Sequence, residues 1–165
     1  MIVFLDKSIL LYFYQDKIKC YGGSLGIRDE TLFWIFDGSG RSKFGGENVL
    51  EDIFHMAAAY GFHICNNHPF IDGNKRTVLI AMYLFLFRNG CKINVSEKVF
   101  YALVMDLASG KVGKDELREF LKNSTVEFYW FINIELTPKK IVIFSLRPSK
   151  LYEIADYLAE NYFLE

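Results

Sequence analysis

This chain lacks long apolar runs, paired cysteines and any excess of basic charge. The longest apolar stretch, Val78 to Phe87, is roughly half of what crosses a bilayer, so no membrane span is expected. The start, Met1-Ile2-Val3-Phe4-Leu5-Asp6, meets charge too early for a secretory signal. Its three cysteines, Cys20, Cys65 and Cys91, are far apart and never form a CxxC pair. That excludes a disulfide framework and a zinc ribbon, and predicts buried free thiols in a reducing, cytoplasmic compartment. Net charge is −1, so there is no global basic field and no direct nucleic-acid partner is expected. Repeats and low-complexity tracts are also absent.

What is present is enough for a core. The 165 residues are 52% hydrophobic and 17% aromatic, which argues against disorder and suits one domain with an appendage. Apolar spacing predicts a mainly α fold. A first helix over 8–19 carries Ile9, Leu10, Phe13 and Ile18, with Ser8 as its cap, and Tyr21-Gly22-Gly23 stops it. A second, short helix follows Asp29. A long helix is expected over 47–66, where Ala57-Ala58-Ala59 allows close approach of a neighbour. It should end before Pro69, because the residue before proline is pushed out of the α region. Asn74 is expected to cap a helix running to Arg88, apolar on nearly every side and therefore buried at the centre. Cys91 to Val95 reads as a connector. Ser96 caps a helix with Val99, Phe100, Leu103, Val104 and Leu107 inward, and residues 113–122 form one more.

Character changes after residue 124. Residues 127–136 and 141–144 are β-type runs flanking the turn Thr137-Pro138-Lys139-Lys140, and Ser149 caps a last helix. The expected architecture is a helical domain, 1–124, built around the buried central helix, with a hairpin-plus-helix appendage at 125–165.

The chemistry concentrates in His68-Pro69-Phe70-Ile71-Asp72-Gly73-Asn74-Lys75-Arg76. Histidine is the residue type best suited to general-base work near neutral pH, which makes His68 the candidate base. Asp72 offers a hard oxygen to Mg²⁺. Gly73 lets backbone approach a phosphate. Asn74, Lys75 and Arg76 stand at the positive end of the central helix, and two adjacent cations there oppose the dipole unless an anion joins them. A base, a metal-binding carboxylate and an anion cradle together suit phosphoryl or nucleotidyl transfer. Upstream, the glycine-rich basic stretch 40–46 reads either as a plain connection or as a flap carrying Phe44, Gly45 and Gly46 over the site.

These residues resemble the Fic/Doc signature, HPFx(D/E)GN followed by Gly or Lys and then Arg. Tyr21-Gly22-Gly23, Gly26 and Arg28-Asp29 resemble the GGxxGxRD stretch of the death-on-curing (Doc) branch. Phe85-Leu86 to Asn89-Gly90 is similar to its FLxxNG helix end. The resemblance covers about residues 6–122. It implies His68 as catalytic base, Asp72 as the Mg²⁺ ligand, Gly73, Asn74, Lys75 and Arg76 as the cradle for ATP phosphates, and Phe70 as a core anchor. AMP-transferring relatives have Gly where Lys75 stands and a second Arg where Leu79 stands. Both differences resemble the Doc branch, which implies γ-phosphoryl transfer to a hydroxyl of a translation factor such as elongation factor Tu, and silencing by a cognate antitoxin. Gly73 and Pro69 are more Fic-like, so AMP transfer is the alternative. A silent adaptor using the aromatic C-terminal segment is the third reading, and a homo-oligomer is left open.

Overall fold

A computed structural model describes residues 2–29 and 53–127. The expected short helix after Asp29, the flap at Phe44 to Gly46, the 127–144 hairpin beyond its first residue and the last helix lie outside the described residues. Within them run α1 (Lys7–Tyr21), α2 (Ile53–Asn67), α3 (Asn74–Arg88), β1 (Cys91–Ile93), α4 (Glu97–Ala108), α5 (Lys114–Asn123) and β2 (Thr125–Glu127). The fold is mainly helical, with a small antiparallel sheet. No described helix is long and apolar enough to cross a membrane.

Helix α3 is the axis. Every residue from Thr77 to Phe87 is buried, as its unbroken apolar run requires. Helix α2 packs most closely on it, and α1, α4 and β1 also lean on it. The close approach comes at Gly61 as well as at the alanines. A Cβ on Gly61 would lie 2.6 Å from Met82 Sδ and 3.3 Å from Leu117 Cδ2. The bare backbone there lets α2, α3 and α5 meet. Phe13, Phe70, Phe85 and Phe100 are the largest fully buried side chains, and each such burial stabilises the fold by about 1.5–3 kcal/mol.

Several local expectations shift. Helix α1 starts one residue ahead of Ser8, with Asp6 as N-cap; the Asp6 carbonyl accepts from Ile9 and Leu10 N–H. Cys91 to Ile93 form a strand, not a connector. It pairs with β2 in the register Cys91–Glu127, Lys92–Val126 and Ile93–Thr125. Its alternation of buried and exposed residues is too short to signal a strand without its distant partner. The first three residues assigned to the appendage therefore pair with β1. Val99 is 44% exposed, because Phe100, Leu103, Val104 and Leu107 set the buried stripe of α4 and Val99 falls one position off it. Cys20 is exposed, while Cys65 and Cys91 are buried.

The end of α3 is closed as expected. Gly90 adopts φ +81° and its N–H bonds the Phe87 carbonyl. Asn89 then ties the N-terminal segment down. Its Nδ2 donates to Val3 O at 2.9 Å and to Phe85 O at 2.7 Å, and Val3 N–H donates to its Oδ1.

Candidate active site

The loop between α2 and α3 begins with strained backbone. Helix α2 runs to Asn67, and His68 sits at φ +47°. Its N–H still bonds the Ile64 carbonyl at 3.2 Å. Proline at 69 disfavours the right-handed α region for His68, and the left-handed region costs an L-residue roughly 1–2 kcal/mol. Such strain persists where the surroundings enforce it, commonly at functional sites. The imidazole is exposed, and no hydrogen bond holds it within the described residues.

Three clamps fix the rest of the loop. Phe70 is fully buried and stacks on Tyr14 with ring centroids 4.0 Å apart. Asn74 closes the turn with its amide: Oδ1 accepts from Phe70 N–H at 3.0 Å and Nδ2 donates to Phe70 O at 2.9 Å. The segment after α1 pairs with the loop, since Arg28 N–H donates to Pro69 O at 2.7 Å and Ile71 N–H to Gly26 O at 2.9 Å. That makes an isolated antiparallel bridge, Ile27 to Phe70.

The N-cap of α3 is Gly73, at φ +76°, not Asn74, which is the first helical residue. Glycine is required there twice over. The φ is left-handed, and a Cβ would lie 2.9 Å from Ile18 Cδ1. Thr77 N–H and Oγ1 both bond the Gly73 carbonyl. The N–H groups of Asn74, Lys75 and Arg76 come too early in the helix for a partner within it, the condition for an anion site.

Arg76 works mostly on the protein. Its Nη1 donates to Lys17 O at 3.2 Å and Gly22 O at 3.0 Å, at the end of α1. Its Nη2 lies 3.8 Å from Asp72 Oδ1. Asp72 Oδ1 also accepts Gly73 N–H, whereas Oδ2 lies against the backbone of Gly23, where a Cβ would collide with it. The Asp72 side chain is 48% exposed, so its carboxylate keeps lone pairs free. Among the described residues no three metal-ligating side chains cluster. A single carboxylate completed by water and phosphate oxygens is an ordinary Mg²⁺ arrangement, so the donor set fits that ion.

Around this loop opens a cleft of about 870 Å³. His68, Asp72, Gly73, Asn74, Lys75 and Arg76 all line it, so the structure brings the expected site residues together. Sequence reasoning had assigned no role in the site to other residues on the wall, among them Arg28, Glu97, Lys98 and Tyr101. Arg28, Lys75, Arg76 and Lys98 face two carboxylates, Asp72 and Glu97. The cleft is thus locally positive in a chain of net charge −1. Burial pushes the Cys65 and Cys91 thiols up, which keeps them protonated and poor nucleophiles.

Tyr14 was missed as a site residue. It is buried in the apolar stripe of α1, four residues from both Leu10 and Ile18, so it passed as core. Its hydroxyl accepts Gly26 N–H at 2.9 Å and lies 3.0 Å from Gly26 O and 3.4 Å from Ser24 O, the carbonyls to which it can donate. One side chain therefore supports the loop after α2 with its ring and the glycine loop with its oxygen.

Comparison with known proteins matches the same part of the chain. The Fic/DOC family pattern matches residues 4–86. Protein kinase doc of Escherichia phage P1 is 28% identical over 113 residues, covering 68% of this chain and 88% of that protein. Toxin Doc of Mycolicibacterium smegmatis is 32% identical over 73 residues, covering 44% of this chain and 56% of that protein.

Proposed function

The chain belongs to the Fic/Doc family, and from that premise we propose that it is a Doc-like toxin. It passes the γ-phosphoryl of ATP to a Ser or Thr hydroxyl of a translation factor, and a cognate antitoxin silences it. The names of two relatives, a protein kinase and a toxin, support the protein-modifying and toxin parts. The observation that carries the choice of transferred group lies on α3. Lys75 is exposed in the cleft, while Leu79, which also lines it, is only 4% exposed and offers no cation.

His68 accepts the proton of the target hydroxyl as its oxygen attacks the γ-phosphorus. The bond from that phosphorus to the β–γ bridging oxygen breaks, and ADP leaves. Asp72 is the residue that would hold Mg²⁺, which when bound neutralises phosphate charge. Lys75 and the first-turn N–H groups of α3 receive the phosphate oxygens. Asn74, its amide engaged with Phe70, keeps the loop in shape. Arg76 joins the end of α1 to Asp72 and holds both in register.

AMP transfer is the second reading, favoured by the Fic-like residues Pro69 and Gly73 in the signature. ATP labelled at either the α- or the γ-phosphate, incubated with the protein and a lysate, decides between them. Label from the γ position on a protein target, absent with His68→Ala, is the expected result. Label from the α position alone overturns phosphoryl transfer, and neither label leaves a non-catalytic adaptor.

A further inference from the structure

Granting the nucleotide in this cleft, on which the following rests, we infer that Arg28 is a phosphate-binding residue of the site, supplied from outside the signature loop. Three observations carry this. Arg28 lines the same cleft as His68, Asp72 and Lys75. Its backbone is fixed to the catalytic loop, because its N–H bonds the carbonyl of Pro69, the residue after His68, at 2.7 Å. Tyr14 secures the same segment through Gly26. The placement of Arg28 beside the base is therefore built in.

The third observation is chemical. Arg76 has its Nη1 committed to two backbone carbonyls and its Nη2 beside Asp72. Arg28 is exposed, and among the described residues its side chain makes no hydrogen bond or ion pair. Arg28, Lys75, Arg76 and Lys98 share the cleft with only two carboxylates, Asp72 and Glu97, a positive balance that an entering anion offsets. The planar fork of donors on a guanidinium matches phosphate oxygens, which it can grip in pairs. The partner this chemistry selects is a polyphosphate chain, so the residue discriminates ATP from AMP.

The test is calorimetric binding of Mg²⁺–ATP and of AMP to the full chain, wild type against Arg28→Gln and Arg28→Lys. Loss of one charged contact should raise the Kd for ATP about tenfold in Arg28→Gln. The Kd for AMP should stay within about twofold, with Arg28→Lys in between. In the transfer assay KM for ATP should rise more than kcat falls, and the melting temperature should not move. Equal ATP affinity in wild type and Arg28→Gln overturns the inference alone. So does an equal loss for AMP and ATP, or a fall in melting temperature that accounts for the loss. A wild-type protein that binds no ATP overturns the nucleotide reading itself, and this inference with it.

Discussion

Helix α3 and the loop that precedes it are contiguous in sequence and are held by opposite means. The helix is buried on every side from Thr77 to Phe87 and touches α1, α2, α4 and β1. Its stability is spread over many apolar contacts, none directional. The loop 68–73 is held by a few directional ones: the Tyr14–Phe70 stack, the Asn74 amide, the bridge to Ile27 and the Arg76 clamp. Dense packing supplies the rigid floor. Sparse polar clamps set the loop on it, leaving the first-turn N–H groups without a partner in the helix and His68 exposed.

If that division is right, activity and stability come apart under mutation. His68→Gly should show it most. Transfer should fall about 100- to 10,000-fold with loss of the base. Yet folding stability should rise by about 1 kcal/mol, because glycine relieves the left-handed φ. Measured in parallel, a stability loss would break the claim of strain. Phe85→Ala attacks the other side. It should cost about 3–5 kcal/mol in denaturant unfolding, while any protein that stays folded keeps the wild-type KM for ATP.

Tyr14→Phe lies on the seam. The ring stack survives and the Gly26 bonds are lost, costing about 1 kcal/mol of stability. Transfer should nonetheless drop on the order of 10- to 100-fold, since misplacing the loop acts on the reacting groups. Equal wild-type activity would mean that the bridge alone holds the glycine loop. The smallest effect concerns His63, on α2. Burial, with Lys114 nearby, lowers its pKa from 6.5. The unfolded chain therefore takes up the proton first as pH falls through 6.5, and stability declines below that point. Thermal melts of His63→Gln should lose less stability than wild type between about pH 7.5 and about pH 5.5. Identical slopes would remove His63 from the account of acid sensitivity.

Much of the site was legible because its signature is one unbroken stretch. His68, Asp72, Gly73 and Lys75 are neighbours in sequence, and all line the cleft. The role of Gly73 sharpened: glycine is needed there for its φ and for the space beside Ile18. The boundaries of α3 and α4 were nearly right, because apolar runs and turn residues act locally. What failed was non-local. The strand at Cys91–Ile93 exists through its pairing with Thr125–Glu127, more than thirty positions away by numbering. Asn74 read as a cap, but its amide is directed back to Phe70.

The sequence by itself determined the helical class, the buried central helix and the set of functional groups gathered in residues 68–76, because periodicity and side-chain type are properties of neighbouring residues. Tertiary structure alone decided which distant groups join them. It set Tyr14 under the loop, ran Arg76 to the end of α1 and brought Arg28 to the cleft beside His68. Those placements follow from backbone pairing and packing between segments more than forty residues apart by numbering, and no local pattern encodes them.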